Sequence, residues 1–297
     1  MKHNDTLWKG ILESLCEDFL RFFFEDSERL FDFGKEVQFL DKELEQLFPM
    51  EGGEAPKFVD KLVKVFTRTG KEKWILIHIE VQGYQDRDFA KRMFTYFYRI
   101  LDKYDKPVTA IVIFTDDNVK FHPSVYEYEY LGTRNTFNFN TFKVIEQEEE
   151  SLSKDENPFA IVILTVLLAL KKKKLDDESL FGLKYSLAKN LLQRNISKRK
   201  MDDLMIFLQL YVTFADSEYN VKFESIIDEL TETWKAMSLR EMVLDVVKKE
   251  GREEGIEKGK IEVVQNLLKA ERFTIAEIAN FANVTEEFVL NVKKTQI

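Results

Sequence analysis

Residues 74–83, WILIHIEVQG, carry the clearest strand pattern in the chain. Their run of large apolar side chains predicts a buried β-strand, yet the run ends in Glu80 and Gln82. A second extended run, KFVDKLVKVF at residues 57–66, precedes it, and the glycine-containing link TRTGKE joins the two. A link of this length between two such runs predicts a β-hairpin. The pattern therefore places a carboxylate and an amide at the end of a strand that is otherwise suited to burial.

The hairpin brings two acidic positions together if its turn centres on Gly70. In that register Asp60 lies directly opposite Glu80, and their Cβ atoms are about 4.5–5.5 Å apart. Like charges so close repel, so the pair needs either a cation or one raised pKa. Carboxylate oxygens suit Mg²⁺ or Mn²⁺, which can polarise a phosphoryl oxygen and generate a nucleophilic hydroxide. Two alternatives stay open. A slip of one residue in the pairing of the two strands would put the acids on opposite faces of the sheet. Asp60 and Glu80 could also be solvated residues at the start of one strand and the end of the other, and they would then need no metal.

The rest of the chain divides into a mixed half and a helical half. Residues 1–150 predict an α/β domain, residues 151–250 a helical region, and residues 251–297 a glycine-spaced neck with a helix-turn-helix-like tail. Within the first domain, apolar periodicity predicts helices and strands at the following places: helices within 5–24 and 86–104, and strands near residue 38, at 107–117 and up to residue 145.

Composition bounds the class of protein. The chain has 297 residues, 26 of them Phe, and a formal net charge of −9, which argues against broad electrostatic attraction to nucleic acid. The single Cys16 excludes an internal disulfide and fits a reducing compartment. The longest apolar run, residues 159–170, is well short of the roughly 20 residues that span a bilayer. We expect a cytoplasmic protein with no membrane segment.

Several blocks of sequence, taken in order, resemble a known family. The blocks are KFVDKLVKV, WILIHIEVQG, DFAKRMFTYFYRI and AIVIFTDD, followed by the glycine-spaced tail. They resemble the recombination-promoting nuclease (Rpn) group, also labelled transposases, of the PD-(D/E)XK nuclease superfamily. The resemblance covers about residues 5–117 and extends to the tail. It implies a mixed central sheet flanked by helices, and a magnesium-dependent DNA endonuclease connected with DNA recombination.

The resemblance also assigns roles to residues at the end of the hairpin. Asp60 and Glu80 would bind Mg²⁺, and the backbone carbonyl of Val81 could join them. Gln82 stands where most of the superfamily has lysine, and its amide could orient the attacking water but supplies no positive charge. On this view Gln82→Lys should fit the site and preserve cleavage.

Three further residues are accessory candidates. Glu13 on the first helix could supply another acid, although exposed glutamates usually form a solvated helix side. Arg92 and Tyr96 lie four residues apart on one helical face and resemble a signature that flanks substrate in related nucleases. Arg92 could clamp a phosphate, or it could be a surface arginine over a half-buried tyrosine. The first hairpin strand is basic through Lys61 and its neighbours, which could follow a DNA backbone or guard an exposed edge.

The tail suggests association between chains. Gly251, Gly255 and Gly259 recur every fourth residue, which allows close helix approach or a flexible neck. The capping box at 274–277 and the N-cap at Thr285 predict two short helices. Acidic residues begin the second of them, which favours homo-oligomer formation over base recognition. Two rival functions remain: a catalytically weak binding or regulatory protein acting through this helical tail, and an RNA nuclease.

Overall fold

The computed structural model describes residues 2–42, 59–68, 74–231, 260, 263–269, 272, 274–282 and 284–294. The chain divides into two compact units, Met1–Glu241 and Met242–Ile297. The first unit is mixed α/β, and the described part of the second is helical.

The centre of the first unit is a five-stranded mixed sheet in the order β1-β2-β3-β4-β7. Its strands are β1 (Gln38–Phe39), β2 (Val59–Phe66), β3 (Trp74–Gln82), β4 (Val108–Phe114) and β7 (Asn140–Lys143). The β1–β2 and β2–β3 pairs are antiparallel, whereas β3–β4 and β4–β7 are parallel. The predicted hairpin and the strand after it are confirmed, because β-branched and apolar residues fill β3 and β4 almost without interruption.

Helix α4 (Phe89–Tyr104) is the crossover between the parallel strands β3 and β4 and covers one face of the sheet. Its periodic apolar residues form one buried cluster with sheet residues that point the same way. The members that define this face are Leu62 of β2, Met93 and Ile100 of α4, and Val112 and Phe114 of β4. This face is called the α4 face below.

Helices from both halves of the sequence pack on the sheet-bearing unit. They are α1 (Lys2–Ser14), α2 (Cys16–Phe23), α3 (Ser27–Leu30), α5 (Glu149–Lys154), α6 (Phe159–Lys171), α7 (Asp177–Leu192), α8 (Lys198–Tyr211) and α9 (Ser217–Thr231). The ring of Trp8 lies 5.7 Å from that of Phe207, and Phe19 lies 5.3 Å from Phe159. Helices α5 to α9 therefore lie in the same compact unit as the sheet.

A second, two-stranded sheet is formed by β5 (Val125–Tyr130) and β6 (Thr133–Asn138). Leu131 and Gly132 connect them with φ values of 46° and 85°. Positive φ at both central residues is what a tight type I′ turn requires, and Gly132 adopts it without strain. The hairpin packs on α4 through Phe94, whose ring stacks on Tyr126 at 5.0 Å.

The second unit contains helical residues 263–269, α10 (Ile275–Ala282) and α11 (Glu286–Lys294). The predicted capping box is confirmed: Glu277 N donates to Thr274 Oγ1, while Thr274 N donates to the Glu277 carboxylate at 2.8 Å. Thr285 also caps α11, since its Oγ1 accepts from Phe288 N. Gly251, Gly255 and Gly259 lie outside the described residues.

None of the helices in the described part of the chain combines the length and apolar character needed to cross a membrane.

Candidate functional site

The candidate site lies at the carboxyl edge of the parallel strands. Strands β3 and β4 end there, and β2, which runs antiparallel, begins there. The backbone pairs Asp60 with Glu80, so the register predicted from the sequence is confirmed. The side chains of these two residues are outside the described part, and their placement here rests on the backbone alone.

Two backbone hydrogen bonds show what kind of pair Asp60 and Glu80 form. The Leu62 carbonyl accepts from Leu40 N at 2.7 Å, so the even-numbered residues of β2 bond outward, away from β3. The Gln82 carbonyl accepts from Thr115 N at 2.8 Å, so the even-numbered residues of β3 bond toward β4. Even-numbered partners across β2 and β3 are therefore non-hydrogen-bonded pairs, whose Cα atoms lie only about 4.5 Å apart. Asp60 and Glu80 occupy the closer of the two antiparallel spacings.

Strand alternation also assigns these positions to a face. Leu62 belongs to the buried cluster under α4, and position 60 has the same parity on β2. Gln82 contacts Arg92 of α4, and position 80 has the same parity on β3. Positions 60, 80 and 82 therefore belong to the α4 face. Val81 directs its backbone carbonyl toward β2, the strand that carries Asp60.

Gln82 is completely buried, with no exposed surface. Its Nε2 donates to the Tyr84 carbonyl, and its Oε1 accepts from Arg92 Nη2 at 3.1 Å. The sequence led us to expect an amide that could orient the attacking water. The strand tip instead turns back at Tyr84, and both ends of the amide bind protein groups.

Arg92 is held on two sides, and its outer partner was missed in the sequence. Nη1 pairs with the Asp86 carboxylate, Nη2 donates to Gln82, and the guanidinium lies 4.9 Å from the centre of the Phe89 ring. Its side chain is 17% exposed and that of Asp86 is 23% exposed, so the pair is at the margin of the site. A carboxylate six residues before Arg92, in the loop that leads into α4, was the available signal.

Tyr96 lies one turn further along α4 and is buried among the cluster that includes Leu62 and Val112. It does share a helix face with Arg92, as predicted. Its ring belongs to the core beneath the helix, so packing accounts for its position.

Glu13 does reach the hairpin, but on the other face of the sheet. Its carboxylate pairs with the Lys61 ammonium, which also pairs with Asp41. Lys61 has the opposite parity to Asp60, so this ion cluster is separated from positions 60, 80 and 82 by the sheet. We therefore leave Glu13 out of the site.

The basic character of β2 does not create a DNA-binding edge in the described part of the strand. Lys61 is only 1% exposed, and Lys64 donates to the Gln38 side chain at 3.0 Å. Strand β2 is internal, since β1 and β3 pair with its two sides. Its lysines tie elements together and do not guard an edge.

A buried ion pair at the same edge was also missed in the sequence. Lys143 at the end of β7 binds Asp116, two residues after β4, at 2.6 Å, and both side chains are at least 95% buried. Lys143 Nζ also donates to the Phe121 carbonyl at 3.0 Å. The charges satisfy each other, so the pair fixes the loop after β4.

Carboxylates and backbone carbonyls are oxygen donors of the kind that Mg²⁺ and Mn²⁺ prefer, so a cation held by Asp60, Glu80 and the Val81 carbonyl stays a prediction. Among the side chains that the structure describes, His, Cys, Asp and Glu form no group of three or more that could hold a metal ion. Burial raises the pKa of the Cys16 thiol to about 12, which leaves it inert as a nucleophile or metal ligand.

Comparisons of this chain with protein families, with curated proteins and with solved structures found no match.

Proposed function

We propose that the protein is a metal-dependent DNA endonuclease with a PD-(D/E)XK fold of the Rpn type. The observation that carries this proposal is the close, non-hydrogen-bonded pairing of Asp60 with Glu80 at the carboxyl edge of the sheet. Two carboxylates about 4.5 Å apart at their Cα atoms repel unless a cation lies between them. The mixed sheet with an α4 crossover between parallel strands supports the same fold.

A bound Mg²⁺ would polarise the scissile phosphate and lower the pKa of a bound water. Asp60, Glu80 and the Val81 carbonyl would hold the ion. Gln82 and Arg92 would act beside it: Arg92 places a guanidinium 3.1 Å from the Gln82 amide oxygen, so positive charge is present although Gln82 itself is neutral. A cation at this position stabilises charge that develops on a phosphoryl group.

The complete burial of Gln82 favours a second candidate, a nuclease-fold protein that binds or regulates through its helical tail. An amide whose two ends bind Tyr84 and Arg92 is already occupied and has little capacity to orient water. Cleavage assays separate the two candidates, because a binding protein would not turn over any nucleic acid.

The test uses Asp60→Asn and Glu80→Gln, which remove charge while keeping shape. Purified protein would be incubated with supercoiled plasmid, linear DNA and RNA, with Mg²⁺, with Mn²⁺ and with EDTA. We expect metal-dependent nicking of DNA by the wild type. The nicking rate should fall at least 100-fold in each variant, because losing one electrostatic contact to the transition state has an effect of about this size. Glu150→Gln is the matched control, because this acid is exposed on α5 and pairs only with Lys154.

A second readout does not depend on activity. Each variant should be more stable than the wild type in EDTA, because carboxylate repulsion is relieved. Added Mg²⁺ should raise the melting temperature of the wild type and of Glu150→Gln but not of the two site variants. Equal Mg²⁺ responses in all four proteins would refute the metal site, and preferential cleavage of RNA would replace DNA as the substrate.

A further inference from the structure

A cavity of about 360 Å³ opens beside the amino-terminal half of β4, between α4 and the β5–β6 hairpin. Strand β7 pairs only with Ile111–Phe114, so the edge of β4 at residues 108–110 faces this cavity. The candidate metal site lies further along the strand direction, because Glu80 is in register with Val112 and Gln82 with Phe114. Along β4, Val112 lies two residues, about 7 Å, from Ala110, and Phe114 lies four residues, about 13 Å, from it. Gln82 and Arg92 are not among the described residues that line the cavity, and its size is one that small-ligand sites have.

The walls of the cavity are aromatic. Phe94 and Phe97 come from α4, and Phe137 and Phe139 come from β6 and the residue after it. Ring centres of Phe97 and Phe137 lie 4.6 Å apart, and those of Phe137 and Phe139 lie 5.6 Å apart in a stacked arrangement. The other described lining residues are uncharged, and five of them are polar: Thr109, Asn135, Thr136, Asn138 and Asn140. Walls that are aromatic and polar but uncharged suit a planar, uncharged ring better than an anionic group.

One lining residue offers a defined hydrogen-bonding atom. Asn140 Nδ2 donates to Thr109 Oγ1 at 3.1 Å and to the Ala110 carbonyl at 3.2 Å. A carbonyl can only accept, so the Ala110 contact fixes which end of the amide is the NH₂ group. Both amino hydrogens are thereby used within the protein. What Asn140 presents to a ligand is its acceptor Oδ1, so the ligand must supply an N–H or O–H donor.

The aromatic surface continues out of the cavity along the hairpin. Tyr126, Tyr128 and Tyr130 pair with Phe137, Asn135 and Thr133 across the two strands, so they share the cavity's face. Tyr128 is 46% exposed and Tyr130 is 64% exposed. The acids of β5, Glu127 and Glu129, alternate to the opposite face. The cavity face therefore presents a row of tyrosine rings whose spacing along the strand suits successive stacked rings.

We propose that the cavity binds an unpaired nucleobase that donates an exocyclic N–H to Asn140 Oδ1, and that neighbouring bases stack on Tyr128 and Tyr130. This inference rests on the proposed function in taking the base from a nucleic acid strand. Aromatic walls recognise the π-face that every base has, and the acceptor favours bases with an exocyclic amino group, which are adenine, cytosine and guanine. Thymine offers only a ring N–H that is flanked by two carbonyl oxygens, and these oxygens repel an acceptor. The uncharged lining means that stacking, and not phosphate neutralisation, supplies most of the affinity.

The experiment measures binding of fluorescently labelled eight-nucleotide oligo-dA, oligo-dC and oligo-dT in EDTA, so that no cleavage occurs. We expect oligo-dA and oligo-dC to bind more tightly than oligo-dT, with a shallow dependence of log Kd on log salt concentration. Tyr128→Ala and Tyr130→Ala should each weaken binding by about 5- to 100-fold, the range for losing one stacked base. Both residues are exposed, so these variants should fold normally. Asn140→Ala should abolish the preference for adenine and cytosine.

Val221→Ala is the control, because it removes exposed apolar surface from α9 and Val221 is not among the described residues that line the cavity. Free adenosine and cytidine identify the source of the base: binding that requires the oligonucleotide assigns the cavity to a strand, and equal binding of the nucleosides assigns it to free nucleosides. Either result supports recognition of a base. Duplex DNA that competes as well as single strands, tyrosine variants that bind like the wild type, or capture of peptides instead would overturn the proposal.

The two proposals fail in different ways. If Mg²⁺-dependent cleavage occurs but the tyrosine variants bind and cleave like the wild type, the base-binding inference is wrong and the endonuclease stands. If single strands bind in EDTA as described but no nucleic acid is cleaved with any metal, the endonuclease is wrong and the base site stands.

Discussion

Replacing Gln82 with lysine tests how the carboxyl edge of the sheet is built. A lysine here would place an ammonium beside the Arg92 guanidinium, whose Nη2 now lies 3.1 Å from Gln82 Oε1. Two unit charges about 4 Å apart repel by about 4 kcal/mol at an effective dielectric constant of 20. Gln82 is completely buried, so solvent screens this repulsion little. We expect Gln82→Lys to lower the free energy of unfolding by about 4 kcal/mol at pH 7, and not to be accommodated as the sequence suggested.

The loss should depend on pH. Desolvation and Arg92 would both lower the pKa of the new lysine, so between the lowered pKa and the ordinary value near 10.4 the unfolded state binds more protons. Stability then rises with pH across that window relative to the wild type. Urea unfolding at pH 7 and pH 9.5 measures both effects. Gln82→Met is the control, because it loses the hydrogen bond to Arg92, worth about 1.5–3 kcal/mol, without adding a charge or a pH dependence.

The double variant Gln82→Lys with Arg92→Gln exchanges the positions of the amide and the cation. We expect it to recover most of the lost stability, and to recover cleavage that Arg92→Gln alone has lost. A free energy of unfolding for Gln82→Lys within about 1 kcal/mol of the wild-type value at pH 7 would refute the predicted repulsion between the introduced lysine and Arg92. A double variant less stable than either single one would refute it equally, because the two substitutions would then be independent.

Three other perturbations test the surrounding fold. Lys143→Met should lower the free energy of unfolding by about 3–5 kcal/mol, because it leaves the buried Asp116 carboxylate unpaired. Lys173→Met breaks an exposed ion pair and should lower it by under about 1 kcal/mol. Urea unfolding of both variants measures this difference, and equal losses of stability would contradict it. Burial lowers the pKa of Lys184 to about 7, so the wild-type free energy of unfolding should rise by up to about 1.4 kcal/mol per pH unit between pH 7 and pH 10. The free energy of unfolding of Lys184→Met should not show this rise with pH. If the stability of both proteins changes with pH in the same way, the rise does not come from Lys184. Truncation after Glu241, the end of the first compact unit, should leave a folded protein of altered assembly, and light scattering that gives the same oligomer number for both lengths would count against self-association through the tail.

The hairpin register could be predicted because it depends on local information. A turn centred on Gly70 predicts which residues face each other, and a slip of one residue would turn the side chains of a strand to the other face. The pairing of Asp60 with Glu80 that this turn predicts is the pairing that the backbone has. The crossover helix α4 and strand β4 followed from periodicity in the same way.

The partners of the charged side chains could not be predicted, because they depend on which elements the chain brings together. Lys61 reads as one of several lysines on a basic strand, yet α1 and the segment after β1 cover it with Glu13 and Asp41. Glu13 reads as a possible site acid, but it lies under the opposite face of the sheet. Alternation alone shows that neighbouring residues differ in face, and only the packing of α1 and α4 shows which face each helix covers.

The position of the Arg92 guanidinium explains why the apolar strand WILIHIEVQG can end in the polar residue Gln82. A buried strand can end in an amide when a neighbouring element satisfies that amide, and here the turn at Tyr84 and the first turns of α4 do so. The positive charge lies on Arg92 and not on the strand, and Arg92 also pairs with Asp86. The Arg92 side chain is 17% exposed, so this charge is at the margin of the core. A strand lysine would have to be charged inside the core, whereas an arginine at this margin stays protonated and presents a planar donor group. The buried Gln82 is then a fixed acceptor that holds the Arg92 guanidinium, and under the proposed function the positive charge beside the metal would come from α4 and not from β3.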